Sequence, residues 1–167
     1  MNNRCKMCIP CCGRCTCPRG ATGSEELGTI YVYRDLTDEL VVGTNEAISC
    51  NKVGPINPAS LYSFTPTSTD ITINETGLYR IYYTALTTSS NGITEVFING
   101  VPVPGSAQKA PGNNELVGLV DAQVTTAPAV LEIRNVGTQD LTIHRATAIP
   151  RTTTTTLPAS VAILKIM

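Results

Sequence analysis

Tryptophan is absent from this 167-residue chain, histidine occurs once, and aromatics make up only 5%. A core must therefore be assembled from Val, Ile, Leu and Ala. Charged residues reach 15%, against roughly 25% in an average soluble domain. Thr, Ser and Asn cover the surface in their place, and the branched Cβ of threonine favours a pleated, half-buried strand surface. No apolar stripe with a 3.6-residue period survives beyond a turn or two, which excludes a helical bundle. No apolar run approaches the roughly 18–20 residues of a membrane-crossing helix, so no membrane partner is expected. The N-terminus starts basic but lacks the apolar centre of a secretory signal peptide.

The net charge is −1 and most of the twelve Lys and Arg are scattered. Nucleic-acid binding needs a clustered basic face that displaces counterions from phosphates. Arg4, Lys6, Arg14 and Arg19 are the only local excess, so no nucleic acid is expected. Paired carboxylates, a Gly-x-Ser-x-Gly elbow, a phosphate loop and a calcium loop are all missing. His144 alternates with Ile143 and Arg145 in a strand-like segment; it is expected to face solvent with no nucleophile beside it. An enzyme is not expected, and no cofactor is implied. Asn74-Glu75-Thr76 fits a glycosylation sequon, a chance match in a turn rich in Asn and Thr.

What the chain does have divides sharply. Residues 1–19 hold six of the seven cysteines and almost no hydrophobic periodicity. They cannot bury a core and read as an arm. Residues 20–29, with Gly20, Gly23 and Gly28, read as a linker. Residues 30–167 carry short apolar alternations separated by turn residues. Strands are predicted near 30–34 (weakly), 71–73, 78–86, 94–98, 116–124, 129–135, 141–147 and 160–167. Asn99-Gly100 is a two-residue hairpin signal, because both residues tolerate positive φ. Eight to ten short strands in one domain imply an all-β sandwich or jelly roll.

The closing strand, SVAILKIM, is apolar on both faces. One face can meet the protomer's core, and the other is expected to meet a neighbouring subunit; an ordinary central strand is the plainer alternative. The run Thr152–Thr156 between Pro150 and Pro158 reads as an exposed loop, with an O-glycosylation tract or an edge strand as alternatives.

Three readings compete for Cys5, Cys8, Cys11, Cys12, Cys15 and Cys17. Cys5-x-x-Cys8 and Cys12-x-x-Cys15 have zinc-ligand gaps, but only three residues separate the pairs where structural sites usually place a dozen or more. Bridges between subunits relieve the cramped local geometry, since adjacent Cys11 and Cys12 pair poorly with each other. Free thiols are the third reading. Cys50, the odd seventh cysteine, is either a buried small hydrophobe or the receptor for an arm thiol. The inter-subunit disulfide candidates are thus the six arm cysteines and Cys50.

Three stretches, ITINETGLYRIYYTA (71–85), VFINGVPVPGS (96–106) and SVAILKIM (160–167), resemble the C-terminal domains of the Bacillus spore-surface collagen-like glycoproteins (the BclA family). The first is shared loosely with the heads of complement and tumour-necrosis-factor-like proteins. The resemblance implies a trimeric jelly roll on the exosporium, released by mother-cell lysis without a signal peptide. It departs at the stalk: the Gly-X-Y register holds only for Gly20-Ala21-Thr22-Gly23, too little for a triple helix. The expectation is a self-assembling structural subunit of an endospore surface layer or appendage fibre. Its trimers would pack Tyr82, Ile163 and Met167 at a three-fold axis and join through arms and disulfides. Its partners would be copies of itself and possible other spore-coat or exosporium proteins. The alternative is a trimeric adhesion or ligand-binding head.

Overall fold

Alternation with a period of two decides which residues enter the core. The computed structural model describes residues 27–110, 115–147 and 156–167. The cysteine-rich arm 1–19, most of the linker and Thr152–Thr155 lie outside the described residues. The strands are β1 (Thr29–Arg34), β2 (Leu40–Val42), β3 (Lys52–Asn57), β4 (Tyr62–Phe64), β5 (Ile71–Ile73), β6 (Gly77–Leu86) and β7 (Ile93–Ile98). They continue with β8 (Val101–Pro102), β9 (Gln108–Lys109), β10 (Glu115–Val124), β11 (Ala129–Asn135), β12 (Leu141–Ile143) and β13 (Ala159–Lys165).

Two sheets stack as a sandwich. One runs β10-β6-β13-β1-β3, the other β4-β5-β11-β7-β8 with β9 also on β7, and β12 pairs β2 apart from both. Every pairing is antiparallel, and neighbours in space are mostly distant in sequence. This is the jelly roll that the strand pattern predicts. Between the sheets lie Ile30, Val32, Ile81 and Ile163 from the first and Ile73, Val96, Leu131 and Ile133 from the second, all buried.

The weak alternation of residues 30–34 resolves into a clean strand. Ile30 and Val32 point inward while Tyr31 and Tyr33 point outward, and it is this outward pair of aromatics that blurs the pattern in sequence. The Asn99-Gly100 hairpin forms as predicted, with φ of 52° and 75° and Ile98 opposite Val101. Residues 144–147 do not continue β12: the His144 amide turns to donate to the Leu86 carbonyl. β3 escaped prediction because Gly54 and Pro55 interrupt it, and its register on β1 shifts between Ile30 and Val32. Such an irregularity suits an edge strand.

Buried polar groups are paired where the fold needs them. The Tyr83 hydroxyl lies 2.9 Å from Thr94 Oγ1, and Asn135 donates to the carbonyls of Val42 and Gln139. The Tyr83 ring lies over Gly118 on β10, where a Cβ would overlap the ring. A glycine is required there by close approach, with the aromatic ring covering the space. Replacing Gly118 by Val should overpack this site and cost about 1–3 kcal/mol. The check is the thermal midpoint, which should fall by about 2–4 °C per kcal/mol at this size; an unchanged midpoint would contradict the packing.

Candidate functional site

The outward face of the five-stranded sheet carries apolar residues in register. Straight across it run Leu119 (β10), Tyr82 (β6), Ala162 (β13) and Tyr31 (β1). The next row is Val117, Thr84, Ser160 and Tyr33. Leu119 is 59% exposed, Val117 44%, Tyr82 43% and Leu164 37%. Tyr31 and Tyr33 stack with ring centroids 5.5 Å apart, and Thr84 and Ser160 share a hydroxyl hydrogen bond of 3.0 Å. Contiguous exposed apolar surface of this kind marks an interaction face.

One margin of the band is charged. Arg80 grips Asp121 across β6 and β10 with two hydrogen bonds of 2.8 Å each. The guanidinium hydrogen bonds hold the Asp121 carboxyl below the ordinary carboxylate value, and the carboxylate raises Arg80 in return. Because the Asp121 value is depressed, this pairing is fully present above the ordinary carboxylate range and is lost as pH falls through the depressed value. In water such an exposed pair contributes little.

The three residues assigned to a subunit interface separate. Tyr82 stands on the band. Met167 is 62% exposed at one pole of the sandwich, where its carbonyl accepts from the Leu78 amide. Ile163 requires correction. It is fully buried, opposite Ile30 and Ile81, and points between the sheets. β13 does carry apolar residues on both faces, but Ala162 and Leu164 occupy the outer one. Leu119, Val117 and Tyr31 were missed in sequence. Their signal was present: Leu116-Val117-Gly118-Leu119 is apolar at both parities, one more than a one-sided strand requires.

Cys50, left between core hydrophobe and arm-thiol receptor by its sequence, lies in the core. It is buried between the sheets, 4% exposed, and its backbone is fixed by bonds to Ser68 and Thr67. Burial pushes its thiol up to about 12, opposed in part by Arg34. Its burial is that of a small core hydrophobe. Arg34 is itself buried; it donates to the Asp38 carbonyl, and its Nε has no partner among the described residues.

His144 and Arg145 line a recess of about 450 Å3 with Thr87 and Glu115 at the end of the sandwich where β6 finishes. Among the described residues, no Ser or Cys lines it. Among the described residues, no three His, Cys, Asp or Glu side chains gather as metal ligands.

No family model matches the sequence, and no curated protein matches it. Solved structures do match the fold. An Eiger TNF from S. frugiperda is 13% identical at a TM-score of 0.56, over 85% of this chain and 94% of that one. The globular domain of zebrafish complement 1qA protein is 13% identical at 0.54, over 85% and 98%. Murine APRIL is 7% identical at 0.54, over 84% and 100%. The chain is thus an all-β jelly roll of the TNF- and C1q-like kind. At these identities the likeness shows the fold and leaves the spore-surface family without support from the comparisons.

The state of Cys50 gives a direct check. Alkylation of the native chain at mildly alkaline pH, followed by peptide mass analysis, should leave Cys50 unmodified and label it fully in denaturant, because a buried thiol with a raised pKa is inert. Rapid native labelling would place it at the surface.

Proposed function

We propose that this protein is a non-catalytic structural subunit that trimerises through the outer face of its five-stranded sheet and is joined into larger assemblies by its cysteine-rich arm. The observation that carries this reading is the Leu119-Tyr82-Ala162-Tyr31 row, an apolar band with large residues left in water on an otherwise complete sandwich. Apolar surface contributes roughly 25 cal/mol per Å2 when buried, and three such faces around one axis offset the entropy of association. Tyrosine suits this role: it supplies large contact area with few rotatable bonds.

The arm supports the second half of the reading. Six cysteines within thirteen residues (Cys5 to Cys17) leave little room for unstrained local bridges, whereas facing arms can bring Cα atoms to the ~5.5 Å that a disulfide needs. Three arms rooted near one axis would raise the local thiol concentration. The resemblance of residues 71–85, 96–106 and 160–167 to spore-surface glycoproteins extends the proposal to a place: an exosporium or an appendage fibre, where covalent links help a particle outlast drying and heat.

Light scattering on the full chain with reductant present should give a trimer at micromolar concentration. Tyr82→Asp with Leu119→Asp should give a folded monomer, because two charges in the band would be desolvated without partners. On non-reducing denaturing gels the unmodified chain should form a ladder that reductant collapses. A wild-type monomer would overturn the interface, and a single band without reductant would overturn the arm's role.

A further inference from the structure

A recess of about 580 Å3 opens between the two sheets on the side where both end in free edges, β8 on one and β10 on the other. Ile98, Val101, Pro102 and Pro104 wall it on the hairpin side, and Ala122 and Val124 on the β10 side. Val101 is 65% exposed and both prolines stand in water. Among the described residues that line it, Asp121 is the one carboxylate, and it is held by Arg80. Asn99, Gln123, Thr125 and Thr126 also line it, and a concave, mainly apolar site of this size is suited to a short apolar segment.

The position of the recess singles out which segment. Val124, at the end of β10, pairs with Gly77 at the start of β6. At that same pole the Leu78 amide donates to Met167 and the Lys165 amide to Gly28. The recess therefore shares a pole with the root of the N-terminal arm. β1 and β10 stand three strand spacings apart, about 15 Å at ~4.8 Å each. Within residues 1–26, Met7-Cys8-Ile9-Pro10 is the only apolar run besides paired cysteines, and Arg4 and Lys6 precede it.

We propose that this recess holds the chain's own arm, with Met7-Cys8-Ile9-Pro10 against Val101, Pro102 and Pro104. Sixteen residues, 11–26, tether that segment to Leu27. An unconstrained tether of that length spans about 20–24 Å root-mean-square, at ~5–6 Å times the square root of its length. This exceeds the roughly 15 Å between the arm's root and β10, so the tether reaches the recess with slack, at an effective concentration in the millimolar range for a short linker. Docking would lay Cys11, Cys12, Cys15 and Cys17 across the pole between recess and root. It would thereby fix which thiols face a neighbouring assembly. This inference goes beyond trimerisation and stands or falls separately from it.

The absence of tryptophan makes the test clean. Ile9→Trp in the full chain, kept reduced, places a single fluorophore in the segment. Docking predicts blue-shifted emission and acrylamide quenching several-fold weaker than for free tryptophan, unchanged across a wide range of protein concentration. Adding Val101→Asp, at an exposed position of the edge strand β8, should return emission and quenching to those of free tryptophan with the thermal midpoint unchanged. A Met7→Trp reporter repeats the reading where a ring at position 9 is too large for the recess. A reporter chain carrying Val101→Asp, refolded with excess wild-type chain, should stay quenchable, because its own recess is blocked. Free-like quenching at both reporters would overturn the proposal, as would protection that Val101→Asp leaves intact. Protection lost on dilution, or regained with wild-type chain, would also overturn it, by assigning the recess to another copy's arm.

Discussion

The fold depends on the last strand entering the middle of the first sheet. β13 lies between β1 and β6, bonded to both along its length. The sheet cannot close until the chain is nearly complete, and its centre joins residues more than a hundred positions apart. Such pairing requires loop-closure entropy to be overcome before contacts compensate. The apolar inward residues Val161 and Ile163 supply that compensation, since each is buried against both neighbours and the opposite sheet. The same insertion ties Lys165 to Gly28 and Met167 to Leu78, so both ends of the described domain leave from one pole.

That placement connects the three features with functional weight. β13 and its neighbours β1 and β6 form the centre of the outer apolar band, and β10 extends it through Leu119 and Val117. The described chain enters this same sheet at β1. The recess lies at that pole, beyond β10. The apolar band and the point where the described chain enters, at Leu27 before β1, thus belong to one sheet. Arg80 and Asp121 mark the margin between band and recess, and the sign of their titration ties this margin to a charged carboxylate.

Much of the fold was legible because alternation, hairpin chemistry and composition agreed. Asn99-Gly100, the long β6 and the closing strand all read directly. The difficult elements were those whose residues follow edge or turn rules. Pro55 and Gly54 disguise β3, and β2 and β4 are only three residues long. The two-faced apolar character of β13 was read correctly, but parity was assigned wrongly. Ile163 belongs to the inward set with Val161, and a one-residue change of register reverses every side chain. Cys50 was undecided in sequence because an isolated small apolar residue looks alike in a core and beside a reactive loop; only its burial separates them. The neighbourhood of Leu119 and Tyr82 is a property of strand order, which no local pattern reveals.

The central claim is that the outer face of the five-stranded sheet meets copies of itself about a three-fold axis. An image reconstruction of the full-length assembly by electron cryomicroscopy at side-chain resolution tests it most directly. The account predicts three protomers with Tyr82, Leu119 and Tyr31 packed against neighbouring chains and excluded from solvent. An assembly in which those three side chains remain in water, with contacts made by the edge strand β3 or by the second sheet, would contradict it.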